Sequence, residues 1–580
     1  MVKGMGDAIF DIIKKAIGAD IGDAPLPLSV PEDGQFGHYS TNLAMRLAKA
    51  RDKNPLDLAH ELAGKIEAAA PAGFFEKISV APPGFINFWL SKKTLQGELA
   101  RVARAKKFGA SDHGAGKKAI VEYSSVNIAK TMNLGHFRTT IIGDALANLL
   151  AFSGYDIVRW NYLGDWGTQF GKLIAAYKLW GKKEDVEKQP VEELQKLYVR
   201  FHEEAKADPE LEKRGQEEFK KLEEGDRESR KLWEWFKKES LAEFKTTYEL
   251  LGVDFDVWIG ESFFEDALKP VARELVDKKI AERSEGALVV KLDAENLPPA
   301  LIEKSDGASL YLTRDIANLE YRLKKYKPAK ILYVVANEQA LHFEQLFAVA
   351  QLLEGAKIIA LGATELVHVK YGLVLGEGGK KLSTREGRSV SMKQAILKAI
   401  ALARAVVEEK NAELSAAEKD DIARAVGLGA LRYNDLKENR MTDIVFDWDR
   451  MLDFTGDSGP YLQYTYARLR SIIRKSGGAE SKIMKSDAAL VDSDVELALA
   501  RKIFEFPEVV ARASELYATS ALATYLYKLA VAANKFYETT PILKDENVGR
   551  RNARLMLVAV AARTLQSGLE LLGIETPEKI

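Results

Sequence analysis

The chain contains no cysteine. Disulfides are therefore excluded, and so are zinc sites built on thiolates. Histidine is scarce as well, seven in 580 residues, with no pair at a metal-binding spacing, so no metal site made of protein ligands alone is expected. A charge excess of one sign is missing too: 84 Lys and Arg stand against 85 Asp and Glu. A polyanionic partner would have to be met by local basic patches, because phosphate contacts come from a minority of surface residues. No apolar run is long enough to span a bilayer, and the opening stretch reads as an amphipathic helix interrupted by charges, unlike a signal peptide. No membrane contact is expected, and a cytoplasmic location follows by default.

Hydrophobic residues make up 47% and charged residues 29%, as in soluble globular proteins, and the length allows about four domains of ~150 residues. The chain is organised around Ala119 to Gly154. Ala119 to Tyr123 is a short apolar, β-branched run that suits a buried parallel strand. Phe137, Ile141, Ala145 and Leu149 then recur at helical spacing, and Gly154 reads as the helix stop. Between strand and helix lie Ser124, Ser125, Asn127, Lys130, Asn133, Gly135 and His136, a dense set of small and polar groups. That is the layout of a ligand site at the carboxyl end of a strand in a doubly wound sheet. A helix starting near Gly135 would turn its free amides and dipole toward a phosphate.

The sequence "VEYSSVNIAKTMNLGHFRTTIIGDAL", followed by "NYLGDWGTQFGKL", resembles the signature of arginyl-tRNA synthetases, class I enzymes whose HIGH motif falls here on Asn133, Leu134, Gly135 and His136. Four letters alone would be weak, but the flanks and the second block make the match specific. The glycine-rich basic stretch "GEGGKKLSTREGRSV" resembles the second class I motif, aligned as Lys381, Leu382, Ser383, Thr384 and Arg385. Two departures stand out: Asn133 where the family usually has His, and Thr384 where the motif has its second Lys. Family members with this altered loop resemble the present chain in carrying a Lys at position 130.

The resemblance covers essentially the whole chain and implies an α/β fold: a class I Rossmann-like catalytic domain with an inserted helical segment, a small N-terminal α/β domain and an all-α C-terminal helix bundle. The expected domains are residues 1–108 for recognition of the tRNA D-loop, 109–395 for catalysis with an insertion at about 175–300, and 396–580 for anticodon binding. The charged insertion is read as helical, with Leu194, Leu197, Tyr198 and Phe201 forming its buried stripe.

The implied activity is arginine–tRNA ligation: ATP-dependent formation of arginyl-adenylate, itself dependent on tRNA, then transfer to the 3′ end of tRNA(Arg). Magnesium would arrive with ATP, and the enzyme would act as a monomer. Such chemistry rests on positioning and on charge stabilisation of the departing pyrophosphate more than on a protein nucleophile. The resemblance assigns catalysis to Lys130, Asn133, Gly135, His136, Lys381 and Ser383, with Asn133, Gly135, His136 and Lys381 on ATP. It places L-arginine on Glu122, Ser125, Asn127, Glu261, Tyr311, Asp315 and Gln339, where Asp315 and Glu261 would match the guanidinium and Asn127 and Gln339 the α-amino group. For tRNA, the residues themselves suggest Phe36 and His38 at an N-terminal loop tip, rings suited to an unpaired base, and Tyr461, Tyr464 and Arg468, whose i, i+3, i+7 spacing puts them on one face of a bundle helix.

On pattern alone Asp315 could instead pair with Arg314 or Arg322, Phe36 could staple the next helix, and the Tyr461 face could be interhelical packing. Two other functions remain open at this level: a class I synthetase for another amino acid, and an inactive paralogue that binds tRNA.

Overall fold

The computed structural model describes residues 4–18, 28–31, 33–305, 311–375, 391–410, 413–445 and 447–580. Lys381 and Ser383, with Thr384, lie outside these described residues.

In the N-terminal region, β1 (Leu28–Ser29), β2 (Tyr39–Thr41), β3 (Phe75–Ala81) and β4 (Phe85–Leu90) form an antiparallel sheet in the order β1-β2-β4-β3. Its helices are Met5–Ile17, Leu43–Ala48, Pro55–Ala69 and Lys92–Arg104. Pro82, Pro83 and Gly84 make the turn between β3 and β4. Gly84 has φ of 151°, and a Cβ there would come within 2.9 Å of the Pro55 carbonyl, so the turn requires glycine.

The catalytic region follows with β5 (Lys118–Glu122), β6 (Asp156–Leu163) and β7 (Val257–Gly260), then β8 (Ala281–Ser284), β9 (Ala287–Val290) and β10 (Ala300–Glu303), and finally β11 (Lys330–Ala336) and β12 (Glu365–Tyr371). Five of them form a wholly parallel sheet, β12-β11-β5-β6-β7. Strand order reverses between β5 and β11, which opens a crevice at their carboxyl ends. The helix Leu134–Phe152, directly after β5, is buried around nearly its whole circumference, including Phe137, Ile141, Ala145 and Leu149. One face of the sheet shares a single apolar core with this helix, the N-terminal region and the bundle, while the other face packs with β8, β9 and β10.

The expected single insertion at about 175–300 divides in two. Helices Lys183–Lys188, Pro190–Glu204, Pro209–Glu223 and Arg227–Leu251 form the charged part, with Leu194 and Phe201 buried. The chain then returns to supply β7 to the main sheet, and β8, β9 and β10 form a separate antiparallel sheet. That sheet is hard to read from sequence because three of the four β8 residues, Glu282 to Ser284, are exposed and polar, which hides the alternation of a half-buried strand.

Beyond residue 391 the described chain is helical apart from β14 (Ile444–Val445), which pairs with β13 (Val374–Leu375). Two reciprocal ion pairs join the helix Ala416–Leu436 to Leu134–Phe152. Arg432 Nη1 donates to Asp144 Oδ2 at 2.8 Å, and Arg138 Nε faces Asp435 Oδ1 at 3.4 Å.

Candidate active site

Beyond β5 the backbone enters the left-handed region at Ser124, Ser125 and Ala129, with φ of 69°, 46° and 61°, three non-glycine residues within six positions. Such strain persists only where the surroundings over-determine it. Here the helical insertion supplies much of the constraint. The Ser124 hydroxyl bonds Tyr248 Oη at 2.6 Å, Ala129 N–H donates to Ser240 Oγ at 3.3 Å, and Thr131 N–H donates to Gln195 Oε1 at 2.7 Å. The surface charges of the insertion gave no hint of this role. Asn127 bridges to Gly164 at the end of β6, where a Cβ would lie 1.9 Å from Asn127 Oδ1. Ser125 Oγ is buried with no partner among the described residues, a polar atom open to a ligand.

Asn133 is the N-cap of the motif helix: its Oδ1 accepts from His136 N–H, and His136 Nδ1 accepts from Asn133 N–H, both at 3.1 Å. Sequence reasoning gave Asn133 a phosphate-donor role and did not foresee the capping role. With Nδ1 an acceptor, a neutral His136 carries its proton on Nε2. Burial, with the nearby Lys130 charge, lowers the His136 pKa to about 4, so the ring is neutral at physiological pH and still able to donate. The Lys130 ammonium lies over the Tyr198 ring, 5.6 Å from its centroid. Gly135 is exposed beside them.

Carboxylates gather at the carboxyl edge of the sheet. Glu122, ending β5, is buried and its Oε2 accepts from Arg322 Nη2; Arg322 itself lies 4.3 Å from the Trp160 centroid. Glu265 takes Arg314 Nη2 at 2.8 Å. Both arginines that could have neutralised Asp315 are therefore committed elsewhere. Asp315 Oδ2 instead meets His342 Nε2 at 2.6 Å, a contact between residues 27 positions apart that no local pattern shows. The bond to Asp315 raises the His342 pKa despite the opposing effect of burial.

Glu261, directly after β7, has no hydrogen-bond or ion-pair partner among the described residues; burial pushes its carboxyl to about 8. Asp165 fixes that turn, accepting from Ser262 N–H at 2.8 Å and Ser262 Oγ at 2.7 Å, and a Cβ on Gly260 would lie 2.2 Å from its carboxylate. Tyr162 Oη is buried without a partner among the described residues; burial, then the field of Asp315, Glu261 and Glu122, keeps its pKa well above the ordinary value. Tyr311, on the same helix face as Asp315, is 66% exposed, and Gln339 is exposed in the turn after β11. Among the described residues no cluster of three or more His, Asp or Glu could hold a metal.

Away from this edge, Phe36 is 48% exposed in the turn Gly34–Phe36. His38 accepts from Leu90 N–H at 3.0 Å and so pins β4. Tyr461 Oη accepts from Asn534 Nδ2 at 2.9 Å, an interhelical contact. Tyr464 is on the surface with the Arg468 guanidinium 4.9 Å from its ring centroid, in a groove of about 980 Å³ that Tyr537 and Lys475 also line.

Three family models match the chain: "Arginyl tRNA synthetase N terminal domain" over residues 5–90, "tRNA synthetases class I (R), catalytic domain" over 99–448 and "DALR anticodon binding domain" over 462–580. The arginine–tRNA ligase of Clostridium perfringens is 41% identical over 571 residues, 98% of either chain. That of Halothermothrix orenii is 40% identical over 555 residues, 95% of either chain. The solved arginyl-tRNA synthetase of Thermus thermophilus superposes with a TM-score of 0.82 at 28% identity, covering 99% of this chain and all of that one. The Plasmodium falciparum arginyl-tRNA synthetase gives the same TM-score at 26% identity, covering both chains fully. With the catalytic model spanning 350 residues around the strained loop and the paired motifs, this chain belongs to the arginyl-tRNA synthetases.

Proposed function

We propose that the protein is an arginine–tRNA ligase that joins L-arginine to ATP as arginyl-adenylate, releasing pyrophosphate, and then transfers the arginyl group to the 3′ end of tRNA(Arg). The observation that carries this reading is the pair Glu261 and Asp315, carboxylates at the sheet edge that no described arginine hydrogen-bonds, since Arg314 spends its donors on Glu265 and acts on Glu261 only through its field. A planar guanidinium satisfies such oxygens with parallel bonds. Tyr162 and Tyr311 would flank it, and Ser125, Asn127 and Gln339 would meet the α-amino end. Glu122 would act through Arg322, as a wall of the pocket.

For the first step, the amino-acid carboxylate attacks the α-phosphorus and the pyrophosphate leaves with the bonding pair. Neutral His136 donates from Nε2, Asn133 from its Nδ2 amide, and Gly135 lets the nucleotide approach the helix start. Lys130, close enough to His136 to lower its pKa, takes the place of the motif lysine that Thr384 lacks, alongside Lys381 and Ser383. Magnesium, carried by ATP, would neutralise phosphate charge.

We further propose that Phe36 and the Tyr464–Arg468 face stack on unpaired tRNA bases, with His38 and Tyr461 supporting them from within. The division into 1–108, 109–395 and 396–580, a monomeric state and a cytoplasmic location complete the reading; no described helix is long and apolar enough to cross a membrane. Pyrophosphate exchange with ATP, magnesium and tRNA tests it. Exchange that requires arginine and no other amino acid supports the assignment. Exchange with another amino acid, or none with any, would replace it by one of the two other readings.

A further inference from the structure

We infer that Arg138, two residues beyond the motif histidine, is a positioning residue: its guanidinium fixes the backbone from which the Lys381 segment departs, and fixes it against the helical bundle. Arg138 is fully buried and gathers three main-chain carbonyls. Nη1 donates to Leu373 at 3.0 Å, while Nη2 donates to Arg440 at 3.1 Å and to Thr442 at 2.9 Å. Leu373 stands directly before β13, the last described strand ahead of residues 376–390, and Arg440 and Thr442 lead from the bundle helix into β14.

The two sides are tied again next to the guanidinium. Gly372 N–H donates to Arg440 at 2.8 Å, Leu373 N–H to Asp443 Oδ1 at 2.7 Å, and Ile444 N–H to Leu373 at 2.9 Å. At the far end of the segment, Met392 N–H donates to Met132 at 2.8 Å and Ser391 bridges to Asn133. The described residues on either side of the basic stretch are thus held against the motif helix or its N-cap, those before it through Arg138. Only a flat head with several divergent donors serves three carbonyls at once, and a lysine ammonium does not reproduce that geometry.

Arg432 provides an internal control. It belongs to the same helix–helix contact, but it holds Asp144 and the Leu251 carbonyl, at the end of the insertion. The inference rests on the proposed role of the Lys381 segment at ATP, so Lys381→Ala is measured beside the others.

In arginine- and tRNA-dependent pyrophosphate exchange, Arg138→Lys should lower kcat by about 10²-fold, the scale of a displacement near 1 Å, with arginine KM within about threefold of wild type. Gly372→Ala should do the same without touching the guanidinium, since a Cβ there would meet Met441 O at 2.8 Å and Asp443 Oδ1 at 2.7 Å. Arg432→Lys should lower Tm and leave kcat of the folded enzyme unchanged. A wild-type kcat in Arg138→Lys, or equal kcat losses in Arg138→Lys and Arg432→Lys, overturns the inference. If Arg138→Lys does not fold, Gly372→Ala decides by the same criterion. An active Lys381→Ala would remove the role of the segment and the inference with it; an inactive Lys381→Ala beside active Arg138→Lys and Gly372→Ala would remove the inference alone.

Discussion

Two sets of buried or half-buried carboxylates divide this molecule. Glu122 and Asp144 lie deep in it, each opposite an arginine of the same chain, Arg322 and Arg432. Glu261 and Asp315 stand at the carboxyl edge of the sheet, the first unpartnered among the described residues and the second held only by His342. The desolvation cost is similar in kind for both sets, but only the inner set has an arginine ion pair built in. On the proposed reading, two acids in a crevice that no arginine ion-pairs, while arginines nearby are tied to other acids, would receive a cation from outside. The same division runs through the aromatic and capping groups, where Tyr461 and His38 have spent their hydrogen bonds internally and Tyr464 and Phe36 face solvent.

Breaking an inner pair should have the largest effect, and that effect should be on folding. Glu122→Gln leaves the Arg322 charge buried without a counter-ion, and Asp144→Asn does the same to Arg432; each should cost about 3–5 kcal/mol in unfolding free energy, measured by urea denaturation. Undiminished stability in both would erase the distinction drawn here.

Breaking the outer set should spare the fold and remove the substrate. Asp315→Ala should weaken arginine use by about 2–5 kcal/mol, read as a rise in KM or loss of exchange, with tRNA affinity and Tm kept. Wild-type arginine kinetics in that variant would return Asp315 to the structural set.

The motif helix sharpens the comparison, because its two polar residues are used differently. His136→Ala removes an open donor and should lower kcat by at least about 10²-fold. Asn133→His should stay within about tenfold of wild type, since an imidazole can cap the helix and donate as Asn does. A severe loss in Asn133→His would mean that the carboxamide itself is required.

Smaller effects are expected at the tRNA surfaces. Phe36→Ala and Tyr464→Ala should each weaken tRNA use by about 1–3 kcal/mol and leave Tm unchanged. Tyr461→Phe, which loses only the bond from Asn534, should cost about 1 kcal/mol of stability. Reversed outcomes, measured by filter binding and thermal melts, would exchange their roles.

Local pattern made the central elements legible. The apolar run at Ala119 fixed β5, and the spacing of Phe137, Ile141, Ala145 and Leu149 fixed the helix that follows, because short-range periodicity reports which face is buried. What stayed hidden depends on contacts distant in sequence. Glu122 and Arg322 are 200 residues apart, and Ser124 meets Tyr248 124 residues on, so no window contains either pair. The Tyr461, Tyr464 and Arg468 spacing placed three side chains on one helix face, but only packing against Thr519–Thr539 determines which of them is covered. Asn133 and His136 did carry a readable capping signal, an Asn three residues ahead of a side chain able to accept in return, which the motif match overshadowed.

The most direct test of the outer set is a proton count. Glu261, with a carboxyl pKa of about 8, is mostly protonated at pH 7 and must ionise to meet a guanidinium; His342, whose pKa is raised by Asp315, can only add to the release. Arginine affinity should therefore strengthen as pH rises toward about 8 and level off above it. Titration calorimetry of arginine into the enzyme with tRNA at pH 7, in two buffers of different ionisation enthalpy, should show close to one proton released by the wild type and markedly less by Glu261→Gln. Equal release by the two, or none by the wild type, would contradict the claim that Glu261 is held uncompensated for the substrate.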